Sequence, residues 1–165
     1  MSGKASAWLI IGVGNEMRGD DAAGIAAARE LARMEPEAAA IEASGEGAEL
    51  IELFSGAGRV MVFDAAQSGS EPGTIHRLDA SADKIPMEFF RYSTHAFSLA
   101  EAVELARVLD GLPAKLVIYG IEGRNWDTGA PLSLEVAQAA REAAARARAE
   151  MREISAHRRK ECHEA

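Results

Sequence analysis

Three short, continuous apolar runs constrain this chain more than any other feature. They cover residues 8–11, 60–63 and 116–119, within predicted strands over 8–11, 59–64 and 115–120. Runs of this length without polar alternation are typical of strands buried on both faces of a parallel sheet. Helical patterns lie between them, so strands and helices alternate along the chain. This order predicts a mainly parallel sheet with right-handed crossovers and helices on both faces.

The remaining segments complete an α/β pattern in a single domain. Helices are predicted over residues 22–34, 48–54, 97–109 and 134 to about 153, and a weaker strand over 38–43. Pro72 and Gly73 suit the centre of a type II turn, and the alternating residues 74–78 predict an edge strand that could pair antiparallel. The length of 165 residues fits one domain over 1–165, with residues 154–165 as a frayed tail.

Charge and composition limit the partners of this chain. The formal net charge of -8 disfavours binding to nucleic acid or to an anionic membrane. No stretch reaches the ~20 apolar residues of a spanning helix, and the apolar run 7–13 is too short for a signal peptide. Cys162 is the single cysteine, so no disulfide forms within one chain. We therefore expect a cytoplasmic protein, and its charged helix surfaces favour a monomer.

Candidate functional residues follow the predicted strands. Asp21 lies after the first strand, Asp64 ends the central one, and His95 precedes a helix. Taken singly, each is more often structural: Asp20 or Asp21 as a helix cap, Asp64 as a turn residue and His95 as a satisfied histidine. Taken together, they converge at the carboxyl edge of the sheet, where α/β proteins bind ligands. Two carboxylates and an imidazole suit a divalent transition metal with open positions.

Other readings of the same segments are weaker. The glycines at 12 and 14 resemble a dinucleotide-binding turn, but Met17 occupies the third glycine position. Asp20 and Asp21 would also place negative charge where a pyrophosphate should bind. A tight turn between strand and helix is therefore favoured. The sequence contains neither G-x-S-x-G nor H-E-x-x-H, the signatures of serine hydrolases and zinc proteases.

Over residues 8–150 the sequence resembles the maturation endopeptidases of nickel–iron hydrogenases. Each matching segment is short, but their order and spacing together are specific. The segments are Ile11-Gly12-Val13-Gly14-Asn15 with Gly19-Asp20-Asp21, Val62-Phe63-Asp64-Ala65, Pro72-Gly73-Thr74, Ser93-Thr94-His95 with Leu99, and Tyr119-Gly120-Ile121-Glu122-Gly123 with Leu132-Ser133.

The resemblance implies a three-layer α/β/α sandwich with a five-stranded, mostly parallel sheet. It also implies that Asp21, Asp64 and His95 hold a metal ion and carry out catalysis. Glu16 is a tempting alternative, but the family's acidic ligand is the second residue of the acidic pair. That residue is Asp21, which leaves Asp20 as a neighbour or a cap.

The activity implied by the resemblance is removal of a short C-terminal extension from the hydrogenase large-subunit precursor. Cleavage would follow nickel insertion, with the nickel of the substrate as the recognition element. No permanently bound cofactor is expected. Some branches of the family carry Asp-Gly-Gly-Thr after the second strand, where this chain has Glu42-Ala43-Ser44-Gly45. This departure leaves the class of hydrogenase open.

A groove for the extension is expected beside the metal site, lined by Glu42, Ser44, Gly45 and Glu122. Three alternatives remain at this stage. One is a nickel- or precursor-binding chaperone of the same fold without hydrolysis, and another is a nucleotide-binding α/β module. The third is a peptidase that acts on a different precursor.

Overall fold

A computed structural model describes residues 7–86 and 98–164 of the protein. The strands are β1 (Trp8–Val13), β2 (Ala39–Ala43), β3 (Arg59–Ala66), β4 (Ile75–Asp79) and β5 (Lys115–Glu122). The α-helices are α1 (Ala23–Met34), α2 (Gly47–Ser55), α3 (Leu99–Val108) and α4 (Leu134–Glu164), and a 3-10 helix (Gly19–Ala22) precedes α1.

The strands form one sheet in the order β2-β1-β3-β5-β4. All neighbouring pairs are parallel except β4 and β5, which are antiparallel. The predicted five-stranded, mostly parallel sheet is therefore confirmed, and so is the antiparallel edge strand. The chain leaves β1 for β2 on one side and reaches β3 on the other. The carboxyl ends of β1 and β3 thus form a topological switch point, the usual ligand position in open α/β sheets.

Helices cover both faces of the sheet and bury two hydrophobic clusters. The first cluster joins α1 and α4 to one face, where the Phe63 and Tyr119 rings stack with centroids 5.7 Å apart. The second joins α2 and α3 to the other face, around Phe54 and Ile118. Side chains alternate along β3, so Phe63 faces α1 and α4, while Val62 and Ala66 face α2 and α3. Asp64 therefore points toward the α2 and α3 face.

Helix α1 approaches the sheet closely because two glycines leave room for it. A Cβ atom on Gly24 would lie 2.5 Å from both the Phe63 and Val13 carbonyl oxygens. A Cβ atom on Gly12 would lie 2.7 Å from Ala28 Cβ. This contact fixes the start of α1, and the 3-10 helix before it, over the carboxyl ends of β1 and β3.

Helix α4 is longer than the sequence pattern predicts. The expected end near residue 153 is too early, because the helix continues to Glu164. Residues 153–164 contain neither Gly nor Pro, so nothing in the local sequence stops the helix. Residues 156–164 are all exposed, and the fraying of this tail stays a prediction. No helix in the described part of the chain is long and apolar enough to cross a bilayer.

Candidate functional site

Asp64 lies at the carboxyl end of β3, opposite Gly120 of β5. Asp21 lies in the 3-10 helix that precedes α1, and its Oδ2 accepts a hydrogen bond of 3.1 Å from the Asn15 backbone N–H. Gly14 makes this turn possible: it has φ of 146°, and a Cβ atom there would lie 2.0 Å from the Asp21 carbonyl oxygen. The turn after β1 and the end of β3 thus bring the two predicted carboxylates to the switch point.

The two carboxylates influence each other electrostatically. Burial raises the pKa of Asp64 well above its ordinary value, and the nearby negative charge of Asp21 raises it further. The Ala65 backbone N–H acts in the opposite direction but does not compensate. Within residues 7–86 and 98–164, no lysine or arginine forms an ion pair with Asp64. Such a pair of acids is stabilised by a bound cation.

His95, the third predicted ligand, lies outside the described residues. Among the residues that the structure does describe, no group of three His, Cys, Asp or Glu side chains could hold a metal ion. The described part of the chain therefore supplies two of the three predicted ligands, Asp21 and Asp64. Their oxygen donors fit a divalent cation.

Glu16, the alternative acid of the turn after β1, forms an ion pair with Arg29. Arg29 Nη1 donates to Glu16 at 3.0 Å, and Arg29 Nε donates to Glu42. These two hydrogen bonds, that to Glu42 first, raise the pKa of the Arg29 guanidinium. Glu42 pairs in register with Gly12 and contacts α1, so it lies on the face of the sheet opposite Asp64. One arginine thus neutralises both exposed glutamates on the outer side of α1.

The other predicted groove residues differ in accessibility. Ser44 is exposed, whereas Gly45 is buried with φ of 96° and packs near Val13. Both follow β2 at the same edge of the sheet as Asp64. Their contact with a substrate stays a prediction.

Glu122 is almost fully buried, with 2% of its surface exposed. Its Oε1 accepts from the Ser68 and Gly69 backbone N–H groups at 2.7 and 3.0 Å, and its Oε2 accepts from Ser68 Oγ at 2.9 Å. His76 Nε2 lies 3.2 Å from the same Oε2. The carboxylate thus holds the turn after β3, which favours a role in shaping the site over direct contact with substrate. The predicted contact itself stays a prediction.

Asp20 is the residue that sequence reasoning missed. The N-cap of α1 is Ala22, so the expectation that Asp20 or Asp21 caps this helix is wrong. Asp20 is fully buried and accepts hydrogen bonds from Arg124, Asn125 and Ser133. Burial alone would raise the pKa of its carboxyl, but the hydrogen bonds from these three residues outweigh it and lower the pKa. The sequence signal was the acidic pair itself, in which only one member is needed as a ligand.

The fold and this site define a class of protein: a three-layer α/β/α protein with paired carboxylates at the switch point of a mostly parallel sheet. Residues 25–150, most of the chain, match the family model described as hydrogenase maturation protease. The chain belongs to the hydrogenase maturation protease family, as its sequence motifs indicate.

Individual relatives agree with this assignment. The chain is 28% identical over 119 residues to the hydrogenase expression/formation protein HupD of Thiocapsa roseopersicina, a match that covers 69% of this chain and 53% of HupD. The chain therefore spans about half the length of that relative.

Solved structures share the fold. The hydrogenase maturating endopeptidase HybD from E. coli superposes with a TM-score of 0.67 at 22% identity, covering 89% of this chain and 93% of HybD. The [NiFe] hydrogenase maturation protease HybD from Thermococcus kodakarensis gives a TM-score of 0.66 at 24% identity, covering 86% and 96%. At these identities the likeness establishes the fold.

Proposed function

We propose that this protein is an endopeptidase that removes the C-terminal extension of a nickel–iron hydrogenase large-subunit precursor after nickel insertion. The observation that carries the proposal is the pairing of Asp21 and Asp64 at the switch point of the sheet. Burial and the charge of Asp21 raise the pKa of Asp64, so the pair favours a positively charged partner. Membership of the maturation protease family supports peptide hydrolysis as the reaction.

Nickel carried by the precursor is the proposed recognition element, with Asp21, Asp64 and His95 as the residues that contact it. Carboxylate and imidazole groups suit a divalent cation of this kind. Binding requires that Asp64 lose its proton, and the raised pKa of Asp64 opposes this loss. Free metal is therefore held weakly, and a metal delivered with the additional contacts of a protein substrate is favoured.

The chemistry needs no serine or cysteine nucleophile. Asp21, Asp64 and His95 would hold the nickel of the substrate, which would supply Lewis-acid chemistry by polarising the scissile carbonyl and lowering the pKa of a bound water. Asp21 or Asp64 accepts the proton of that water as its oxygen bonds to the carbonyl carbon. The carbon–nitrogen bond then breaks, and the proton passes to the departing amine of the extension. Both acids lie at the same edge, so either can serve as the base.

The extension itself is proposed to cross the end of β2. Ser44 and Gly45 would line its path, and the positive φ of Gly45 fixes the turn there. Glu42, which lies on the opposite face and pairs with Arg29, would contact the extension only where it passes around the edge of β2. The same proposal places the reaction in the cytoplasm with the precursor as the protein partner. It takes the enzyme as a monomer without a permanently bound cofactor.

The proposal is tested with purified nickel-loaded and nickel-free large-subunit precursor. Mass spectrometry is expected to detect loss of the extension only from the nickel-loaded form. Equal cleavage of both forms would contradict nickel recognition. Binding without any mass change would instead support a precursor-binding chaperone.

Three variants test the assignment of residues in the same assay. Asp64→Asn and His95→Ala are expected to abolish cleavage, because each removes a proposed contact to nickel. Glu16→Gln is the control, since Glu16 is an exposed acid of the same turn that pairs with Arg29. It should retain most of the activity. Full activity of the Asp64 variant would remove the trio from consideration.

A further inference from the structure

Asp20 and Asp21, the two adjacent acids of the 3-10 helix, have different roles. We propose that Asp20 is a positioning residue, which fixes the place of Asp21 by tying its helix to the loop between β5 and α4. Its effect on cleavage rests on the function proposed above, whereas its effect on the position of Asp21 does not.

Both oxygens of the Asp20 carboxylate are engaged by that loop. Oδ2 accepts from the Arg124 and Asn125 backbone N–H groups at 2.7 and 2.9 Å, and from Ser133 Oγ at 2.8 Å. Oδ1 accepts from the Ser133 backbone N–H at 2.7 Å. The Asp20 backbone N–H donates in return to the Asn125 carbonyl at 2.8 Å. Five hydrogen bonds thus join one buried residue to a loop more than a hundred positions away in the sequence.

Two glycines allow this close approach. Gly19 has φ of 55°, and a Cβ atom there would lie 2.2 Å from the Asn125 carbonyl oxygen. A Cβ atom on Gly123 would lie 3.0 Å from Asp20 Cβ and 2.7 Å from the Trp126 ring. A side chain at either position would collide with its neighbours, so the backbone is shaped around the Asp20 contact.

Asp21 follows directly in the same turn of 3-10 helix. It is held on one side through Asp20 and on the other through the hydrogen bond from the Asn15 N–H to its Oδ2. Its backbone N–H donates to the Arg18 carbonyl at 3.1 Å. Because Asp21 must meet Asp64 across the switch point, a shift of its short helix misplaces a reacting group. A displacement of about 1 Å can lower a catalytic rate by roughly 100-fold.

Asp20→Asn is the main test. An amide has only one acceptor oxygen, so at least one backbone N–H of the loop would face an N–H group of the Asn side chain. Ser133→Ala is a milder variant, because it removes only the hydroxyl donor. Asp127→Asn is the matched control, since Asp127 is an exposed acid of the same loop.

Two readouts separate positioning from general weakening of the fold. The first is the split between kcat and KM for the nickel-loaded precursor. In folded Asp20→Asn, kcat should fall about 10- to 100-fold while KM changes less than about threefold. The second is amide hydrogen exchange at Asn15, whose N–H donates to Asp21. It should accelerate about tenfold or more, while amides of the central strands keep their protection. Asp127→Asn should leave both unchanged.

The outcomes decide the proposal in each case. Wild-type kcat and wild-type Asn15 exchange in folded Asp20→Asn would overturn it, and so would an equal acceleration of exchange throughout the chain. If Asp20→Asn does not fold, Ser133→Ala decides: kcat should fall about threefold to tenfold with faster Asn15 exchange. No change in either would overturn the proposal. If the wild-type protein cleaves no precursor, the proposed function fails, and the Asn15 amide still tests the positioning role.

Discussion

Asp20 and Asp64 lie at the same edge of the sheet, but their carboxyl groups have opposite electrostatics. The Asp20 carboxylate is surrounded by N–H and O–H donors, which stabilise its charge and lower its pKa despite burial. The Asp64 side chain is partly buried, and desolvation together with the nearby charge of Asp21 raises the pKa of its carboxyl. The first environment holds an anion permanently and serves structure. The second leaves an unfavourable charge, which is typical of a site that awaits a cation.

Asp64→Asn should therefore stabilise the fold while it removes cleavage. The free energy of unfolding at pH 7 is expected to increase by about 0.5–2 kcal/mol, the usual gain when a functional site gives up an unfavourable group. The measurement is urea unfolding of the wild-type protein and the variant over a range of pH.

The sign of the pH dependence follows from the raised pKa of Asp64. Below the unfolded-state pKa of about 3.9, Asp64 is protonated in both states, so the variant should gain nothing. As pH rises through the folded-state pKa, the wild-type protein loses stability and the gain appears. Asp127→Asn, an exposed control, should change stability by less than about 0.5 kcal/mol at any pH. A gain that persists undiminished at pH 3 would contradict the electrostatic explanation.

The sequence predicted that Asp21 and Asp64 come together because both follow buried strands at the edge where α/β proteins bind ligands. It could not separate Asp20 from Asp21 by physics, since adjacent acids have the same local pattern. What distinguishes them is a contact with residues 124–133, which lie far away in the sequence. The hydrogen bonds of Glu122 could not be predicted for the same reason: its partners Ser68 and His76 are brought to it only by the pairing of the strands.

At the scale of single elements, the close packing of α1 on the sheet controls the position of Asp21 at the site. Gly24→Ala places a methyl group 2.5 Å from two backbone carbonyl oxygens, and backbone cannot rotate away as a side chain can. We expect a loss of unfolding free energy of about 3 kcal/mol, at the upper end of the range for overpacking. Thermal or urea unfolding provides the measurement. Gly56→Ala is the control, because a Cβ atom on Gly56 would have no neighbour within 4 Å. Equal effects of the two substitutions would show that α1 can move without cost.

The turn after β3 depends on Glu122 in a similar way. Glu122→Gln replaces one acceptor oxygen with a donor group, so at least one of the Ser68 and Gly69 N–H groups or the Ser68 hydroxyl loses its partner. The expected cost is about 1–3 kcal/mol, with faster hydrogen exchange at Ser68 and Gly69 than elsewhere. Glu71→Gln, an exposed change in the same connection, should leave both unchanged. Unaltered exchange at Ser68 in the Glu122 variant would contradict this role.

Elements were predictable where the local pattern dominates. The buried strands β1, β3 and β5 read as continuous apolar runs because both of their faces are covered. In the edge strand β4, apolar and polar residues alternate, as predicted. The turn before it has the expected Gly73 with φ of 87° and a hydrogen bond from the Thr74 N–H to the Glu71 carbonyl. The predicted end of α4 was too early because the sequence becomes mostly polar after residue 153. This polar segment contains no Gly or Pro, so the helix continues to Glu164.

At the scale of the whole molecule, the order of strands places the site. Alternation of strands and helices predicted a parallel sheet, but the order β2-β1-β3-β5-β4 depends on which elements pack together over the two faces. That order puts β1 and β3 side by side, so the turn that bears Asp21 and the strand that bears Asp64 meet. The family resemblance implied a five-stranded, mostly parallel sheet at the sequence level, but it gave no order of strands, so the adjacency of β1 and β3 comes from the structure alone.

The last part of α4, residues 156–164, is exposed and should be dispensable for folding of the α/β/α domain. Residues 156–164 are all exposed, and within the described residues the last ion pair along the helix joins Arg152 to Glu35. Deletion of residues 156–165 is therefore expected to change the unfolding free energy by less than about 0.5 kcal/mol, as for other exposed changes. Thermal unfolding and cleavage of the nickel-loaded precursor are the two measurements.

A longer deletion provides the comparison. Removal of residues 151–165 also takes away Met151, which is 4% exposed, and Ser155, whose Oγ accepts from Arg59. Loss of one such buried methionine side chain alone costs about 2–5 kcal/mol, so this variant should unfold at a clearly lower temperature. If the shorter deletion destabilises the protein as much, the tail packs on the body. If it keeps its stability but loses cleavage, the basic residues Arg158, Arg159 and Lys160 act on the precursor, and the tail belongs to the functional part of the molecule.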